Sequence, residues 1–385
     1  MKADDILLIS LGGAAAKIAR HIAAKSLRDP SKPPMRVLIL DTDDEVLQTV
    51  THTTIEGVSV TIFGAQRLNG KGTGGDHVIG MSAFRDEVAV LTQQIGTPRL
   101  AVVLTCCGGG TSGASESLLR ILNERGIANI VFATEPLPFE GDDRKRCASV
   151  IIPTIMSCAN AATVVPLATL LAGAPDTLTA AESFDYAADR LAAGISLLWT
   201  LLVHPGYLQF DAEHLRQMLE RDALTTLAFT FSDAVASGEN RATEVVEAIA
   251  ASPRFKLKGV NCLANARTAV VGVLAGDDLR LSELNVLMTG LRKQFHKQTE
   301  VILGTVNHPS FNGRMEVVVL AFTQSGAEAG DGDGALQPIR KRAGRSRSKG
   351  LTGVKDRFDD VERTIIDGVN YDEPTYLRRN IRLKR

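Results

Sequence analysis

Apolar residues in this chain come in short unbroken runs, separated by stretches with helical periodicity. "ILLISL" (Ile6–Leu11) predicts a buried strand, and "AAAKIARHIAAKSL" after it predicts a helix. "RVLILDTD" (Arg36–Asp43) predicts a second strand ending in acids, "RLAVVLT" (Arg99–Thr105) a third and "NIVFATEP" (Asn129–Pro136) a fourth. "GASESLLRILNERG", between the last two, reads as a helix. Unbroken apolar runs suit strands covered on both faces. Their alternation with helices predicts a parallel, doubly wound α/β sheet. Ligands of such sheets sit beyond the carboxyl ends of the strands.

No residue from Cys147 to Pro175 is charged, a stretch long enough on paper to span a bilayer. Pro153, Ser157, Asn160, Thr163 and Pro166 divide it, which predicts a buried helix followed by a buried strand and no transmembrane segment. "AESFDYAADRLAAGISLLWTLLVH" (Ala181–His204) predicts a long helix ended by Pro205-Gly206 and joining two halves. A second α/β region runs to about Gly326, with "LAFTFSDA", a helix from "NRATEVVEAIAAS", then "ARTAVVGVLAG" and the strand "MEVVVLAFTQ". Beyond it, "AEAGDGDGALQPIRKRAGRSRSKGLTG" is too poor in apolar residues to fold and reads as a disordered linker. "YDEPTYLRRNIRLKR" regains aromatic and apolar residues and reads as a docking peptide.

Composition changes this picture little. The 385 residues carry a formal net charge of −1, so no global field argues for nucleic acid or an anionic membrane. The basic "RKRAGRSRSKG" of the linker could touch nucleic acid, but such runs are usually solvated, and no nucleic-acid partner is expected. Five cysteines with no C-x-x-C pair point to reduced thiols and a cytoplasmic protein. "MKADDILLISLGG" puts two aspartates before a short apolar run, which does not suit a signal peptide.

The candidate chemistry lies in three glycine turns. "SLGGAAAKIA" places Gly12 and Gly13 after the first strand; alone this signal is weak, since small residues also permit tight packing. "NGKGTGGDHVIG" gathers Gly70, Gly72, Gly74, Gly75 and Gly80 in one loop, either a flexible surface loop or a backbone cradle for a phosphate. "LTCCGGGTSGASESLLRIL" sets Gly108, Gly109, Gly110 and Thr111 before a helix whose N-terminus favours an anion. No lysine follows these glycines directly, so this is not a P-loop. In "TEPLPFEGDDRKR", Glu140 could accept from ribose hydroxyls and Arg144 could meet phosphate or stack on a base. The plainer reading of that segment is a solvated charged loop. A nicotinamide-dependent oxidoreductase using "GGAAAK" and Asp41 or Asp43 is a rival reading, but it leaves the third turn unexplained.

The order of glycine turn, "DTD", glycine loop, "GGGT", "P-x-x-FEG-x-x-R", long helix, "GENRA" and terminal "P-x-Y-L-R-R" resembles the bacterial tubulin homologue FtsZ. The resemblance covers nearly the whole chain. "GENRA" (Gly238–Ala242), "FEG" (Phe139–Gly141) and "EPTYLRRN" (Glu373–Asn380) are its most specific pieces. It implies an α/β, tubulin/FtsZ-like fold: a nucleotide-binding domain over residues 1–178, a central helix over 179–206, a C-terminal activating domain over 207–326, a disordered linker over 327–370 and a docking peptide over 371–385. It further implies GTP or GDP with Mg2+, head-to-tail filaments, and hydrolysis completed by a loop of the next subunit. Such a protein would act at the division site in the cytoplasm.

Carried over residue by residue, the phosphate cradle corresponds to Gly12, Gly13, Gly72, Gly74, Gly108, Gly109, Gly110 and Thr111. Glu140 and Arg144 match the ribose and nucleotide contacts, and Phe184 the aromatic that stacks on the base. Asp211 matches the first acid of the catalytic loop, here Gln209-Phe210-Asp211-Ala212-Glu213-His214, with His214 in the second acid's place. A neutral His could accept a proton there near pH 7. Pro374, Tyr376, Leu377, Arg378 and Arg379 match the terminal peptide that docks on membrane-tethering and regulatory division proteins.

The departures gather at the chemistry. The GGGT turn is about two residues shorter than the family's "GMGGGTGTG". The family's polar base pocket becomes Lys17, Leu167 and Ala188, with Asp189 about 100° further round the helix. The altered catalytic loop also implies an alternative, a nucleotide-binding filament protein with little or no hydrolysis. Cys106 and Cys107 stand where the family has small residues, and buried packing is expected of them. A lesser expectation is that the nearby helix N-terminus lowers the Cys107 thiol pKa and makes it open to alkylation.

Overall fold

Ile6–Leu11 forms strand β1, buried at every position, and Gly13–Lys25 forms α1 with an apolar face of Ala15, Ile18, Ala19 and Ile22. The computed structural model describes residues 2–25, 34–45, 48, 55–204, 206–221, 226–257, 260–324, 365–366 and 369–370. β2 (Val37–Asp41), β3 (Val58–Ile62), α2 (Ala65–Leu68), α3 (His77–Asp86), α4 (Val88–Ile95) and β4 (Leu100–Cys106) follow. Then come α5 (Ser115–Glu124), β5 (Ala128–Glu135), α6 (Asp142–Cys158), β6 (Ala161–Pro166), α7 (Leu167–Leu170) and α8 (Ala180–Val203). The uncharged stretch is thus most of α6, then β6 and α7, a helix and a buried strand in succession.

The second half holds α9 (Ala212–Arg221), β7 (Leu227–Ser237), α10 (Arg241–Ala251), a short ladder β8 (Lys256–Leu257) with β9 (Val260–Asn261), β10 (Thr268–Ala275), α11 (Leu281–Arg292), β11 (Glu300–Asn307) and β12 (Arg314–Gln324). One ten-stranded sheet runs through both halves in the order β11-β10-β12-β7-β6-β5-β4-β1-β2-β3. All pairs from β3 to β7 are parallel, while β12 opposes both its neighbours, β7 and β10. β3 was not read from the sequence. It is a half-exposed edge strand, "VSVTI", without the apolar run that marks its covered neighbours.

α8 begins in a capping box, Thr179 Oγ1 accepting from the Glu182 N–H and Glu182 from the Thr179 N–H. It packs on α1 and on the second-half strands. Its length and composition suffice to cross a membrane, but 67% of its apolar stretch is buried within the protein, so it serves as a core helix. The sheet and α8 share one core, in which Trp199, Phe210, Phe229 and Phe322 join residues of both halves.

Arg254 ties this arrangement together. Its guanidinium, 5% exposed, donates to Asp233 (2.9 Å; 7% exposed), lies 5.2 Å from the Phe231 ring centre and reaches the Arg190 carbonyl on α8 at 3.5 Å. Removing one member of a buried pair strands the other charge. Arg254→Ala is therefore expected to lower unfolding free energy by about 3 kcal/mol, read as a fall in the urea midpoint.

Residues Met1–Gly330 form one compact unit and Asp331–Arg385 another. Among its described residues the second has an antiparallel pair, β13 (Ile365–Ile366) with β14 (Val369–Asn370).

Candidate functional site

The sheet reverses its winding between β1 and β4, and the turns that follow these two strands lie side by side at their carboxyl ends. Such a switch point leaves a crevice for a ligand. Gly12, at φ +87°, bends the chain from β1 into α1, and a methyl built on it would sit 3.5 Å from Thr111 Cβ. The first and third glycine turns therefore touch. Thr111 donates its hydroxyl to Asp41 Oδ1 at 3.0 Å and meets the Thr42 hydroxyl at 3.0 Å, which joins the end of β2 to them. Asp41 is buried. Desolvation pushes its carboxyl above the ordinary range, against the Thr42 N–H and Thr111 hydroxyl that donate to it. Its side chain faces the protein and not a cofactor ribose, which removes the support for the nicotinamide reading at this position.

The second glycine cluster divides in two. Asp76 caps α3 by accepting from the Val78 and Ile79 N–H groups, so Gly80 lies inside a helix and not in the loop expected of it. The signal was legible: an Asp one residue removed from the apolar Val78-Ile79 pair fits an N-cap pattern. α3 packs backbone to backbone on the third turn. A methyl on Gly80 would lie 2.2 Å from the Gly110 carbonyl oxygen, and one on Gly110 would lie 2.1 Å from Thr73 Oγ1. Methyls on Gly109, Gly74 and Gly75 would meet nothing within 4 Å. Gly72 has φ +70°, and its N–H donates to the Thr42 carbonyl.

The helix expected directly after the third glycine turn is delayed. Gly110–Ala114 form a buried 3-10 turn, and α5 starts only at Ser115. The anion donors are instead the turn amides. Among the described residues, the N–H groups of Gly109, Gly110 and Thr111 donate to no protein group, nor do those of Gly13, Ala14 and Ala15 at the start of α1. Two sets of free amides, one on each side of the crevice, make a phosphate-sized anion the fitting occupant.

The segment after β5 packs on the third glycine turn, with Pro136 and Arg144 against Gly108. Glu140 accepts from the Leu137 N–H at 2.6 Å and from Arg144 Nη1 at 3.1 Å, so it shapes its own loop. The Arg144 stem lies over Gly108, with Cβ 3.4 Å from a methyl built there. Cys147 Sγ lies 3.5 Å from the Gly109 carbonyl oxygen. Desolvation pushes the Cys106 thiol up to about 11 and Cys107 well above its ordinary value. The lowered Cys107 thiol expected from a nearby helix end is thus corrected, since that helix starts eight residues later and burial dominates.

Lys17 on α1 and Phe184 on α8 are exposed, while Leu167 and Ala188 are half-buried against the core. Asp189 pairs with two α1 groups, His21 Nδ1 at 2.6 Å and Lys25 Nζ at 2.8 Å. Desolvation opposes its ionisation, but Lys25 and His21 outweigh that and hold its carboxyl below the ordinary range.

Gln209, Asp211 and His214 lie at the other end of the sheet. The Thr305 N–H of β11 donates to the Leu208 carbonyl at 2.8 Å, which anchors their loop. Asp211 Oδ1 accepts from the N–H groups of Glu213 and His214, both at 3.0 Å, and so caps α9. Glu213 receives Arg99 at 2.6 Å, and Arg99 immediately precedes β4. Arg216 and Arg99 keep the Glu213 carboxyl below its ordinary range despite some desolvation. His214 is exposed, with Nε2 3.6 Å from Glu300 Oε1. The glycine turn follows β4, whose seven residues span about 23 Å at the usual rise. No side chain of the Gln209–His214 loop bridges that distance. Pro374, Tyr376, Leu377, Arg378 and Arg379 lie outside the described residues.

Comparison with known proteins agrees with this architecture. Residues 5–173 match the model of the tubulin/FtsZ family GTPase domain, and residues 232–324 that of the FtsZ family C-terminal domain. The chain is 25% identical over 327 residues to the cell division protein FtsZ of Caulobacter vibrioides, covering 84% of this chain and 60% of that protein's length. It is 25% identical to FtsZ of Coxiella burnetii, covering 99% of this chain and 90% of that one. An FtsZ dimer from M. jannaschii superposes with a TM-score of 0.72 at 17% identity, covering 86% of this chain and 94% of that one. CetZ2 from Haloferax volcanii, in a GTPγS-bound protofilament, gives 0.67 at 18%, covering 85% and 95%. The chain is a divergent member of the tubulin/FtsZ family.

Proposed function

We propose that this protein is a cytoskeletal GTPase that stacks head to tail, each copy binding GTP in its crevice and the next copy's Asp211 loop completing hydrolysis. One observation carries the reading: the free-amide crevice and the Asp211 loop occupy opposite ends of the same parallel strands. Stacked copies bring the two ends together; a single copy cannot. Gly12, Gly13, Gly72, Gly74, Gly108, Gly109, Gly110 and Thr111 would hold the phosphates, with Arg144 above them. Thr111 is itself fixed by Asp41, so its backbone is preorganised for this task. Magnesium, if bound with the nucleotide, would supply charge neutralisation for phosphoryl transfer. Asp211 Oδ2, left free by the cap, would orient the attacking water, with Gln209 and His214 beside it. The tail peptide would dock on membrane-tethering and regulatory division proteins at the cytoplasmic face of the division site.

A second reading is a filament that binds nucleotide without cutting it. It draws support from Asp211 Oδ1, which already serves two backbone N–H groups. Phosphate release from GTP, measured with magnesium across a range of protein concentrations, tests both. The hydrolytic reading expects a rate per subunit near zero at low concentration that rises above a threshold. A rate per subunit independent of concentration removes the shared site, and no release at any concentration selects the second reading.

A further inference from the structure

We infer that the chain has an anion site of its own at the amino ends of β4 and β5, and that its ligand is a small phosphate-type oxyanion. The inference stands apart from the nucleotide reading, since the crevice lies at the other end of these strands. Arg99 before β4, Arg125 at the end of α5 and Arg216 on α9 line one hollow of about 250 Å³, together with Thr97, Gly126 and Ile127. Sites for drug-sized ligands start at about 300 Å³, so this one suits a smaller occupant.

The end of α5 is closed by its own backbone. The N–H groups of Arg125, Gly126 and Ile127 donate to the Ile121, Asn123 and Leu122 carbonyls, with Gly126 at φ +66°. The Arg125 guanidinium is therefore not needed to satisfy those carbonyls. A methyl built on Gly126 would meet nothing within 4 Å, so the space over it is open. Arg125 Nη1 donates instead to the Thr92 carbonyl at 2.9 Å. Arg99 and Arg216 share one carboxylate: Arg99 Nη2 lies 2.6 Å from Glu213 Oε2, and Arg216 Nη2 lies 2.6 Å from Glu213 Oε1. Arg216 also bonds Glu220.

A guanidinium carries five N–H donors. Among the described residues, the Arg99 and Arg125 side chains each make one hydrogen bond to the protein, and the Thr97 hydroxyl makes none. Two carboxylates, Glu213 and Glu220, are bonded to the three guanidiniums, which leaves a net positive charge around the hollow. Like charges there repel, and an anion between them turns the repulsion into attraction. The free donors are spread over Arg99, Arg125 and Thr97, on separate segments. A tetrahedral phosphate has oxygens in several directions and more than one negative charge near pH 7, so it can serve all of them. A second planar carboxylate would bring two oxygens and one charge. Arginine forks match phosphate oxygens in pairs.

Calorimetric titration of inorganic phosphate, and separately of pyrophosphate, into the full chain in magnesium-free chloride buffer tests this. Arg125→Gln and Arg99→Gln are each expected to weaken binding of the ion at least about tenfold. Gly109→Ala, at the far end of the strands, is expected to leave that binding within about twofold. Arg125→Lys keeps the charge and loses the fork, and its affinity is expected to fall between the parent and Arg125→Gln. This pattern with either probe supports the inference. Binding that survives both glutamine variants, or that is lost in Gly109→Ala, places the ion at the glycine turns or elsewhere and overturns it. No heat from either probe at millimolar concentration overturns it as well. So does displacement by an equal concentration of chloride, which would show diffuse screening only.

Discussion

Asp211→Asn is expected to lower phosphate release per subunit by about a hundredfold while leaving nucleotide affinity within about twofold. Two roles meet in this side chain, and the choice of substitution separates them. Asp211 caps α9 through two N–H bonds of 3.0 Å. Asn caps a helix as well as Asp does, so the variant keeps the fold of the loop and loses the charge. Asp211→Ala loses both, and should show the same kinetic defect together with about 1 kcal/mol of lost stability. Phosphate release, nucleotide displacement and urea unfolding on the two variants make the comparison. Full activity in Asp211→Asn would show that Asp211 is a cap and nothing more, and the hydrolytic reading would lose its acid. Unchanged affinity is expected because the crevice lies a full strand length away.

The second large effect divides two neighbouring glycines. Gly110→Ala is expected to lower unfolding free energy by about 3 kcal/mol, because its methyl would stand 2.1 Å from Thr73 Oγ1 and 2.7 Å from the Asp76 backbone. Gly109→Ala should be neutral or stabilising by about 0.5 kcal/mol, since its backbone is extended and its methyl meets nothing within 4 Å. That empty space is where the proposed phosphates sit, so Gly109→Ala should weaken GDP binding by about tenfold. Urea midpoints and GDP displacement, run side by side, read both. A Gly110→Ala chain as stable as the parent would mean that α3 does not press on the turn. A Gly109→Ala chain with undiminished affinity would put the phosphates somewhere else.

These two glycines also show what the sequence can and cannot tell. Both belong to one motif, and the motif marks the turn without saying which glycine serves packing and which faces the ligand. That division depends on α3, a helix hidden within the glycine-rich segment. β1, β2, β4 and β5 were legible because strands covered on both faces must be apolar throughout. β3 was not, because an edge strand is free to carry polar residues. The long α8 announced itself by its period. The pairing of Asp189 with His21 and Lys25 joins residues more than 160 positions apart, and no local pattern encodes it. Cys107 is buried as expected, and only the lesser expectation of a lowered thiol failed, for a related reason: proximity to a helix end is visible in sequence, whereas the desolvation that outweighs it is not.

Strand direction has one further consequence. Every strand from β3 to β7 points the same way, so the crevice and the Asp211 loop can never share an end. Any stack made through these faces has two unlike tips, one showing an open crevice and the other an unused acid. Contacts of this head-to-tail kind do not close on themselves. A copy spoiled at one face can still join a stack through the other, and then it forbids growth at that tip alone. Damaged or modified copies would therefore act as one-sided stoppers, and a small number of them could set filament length without touching the subunits in between.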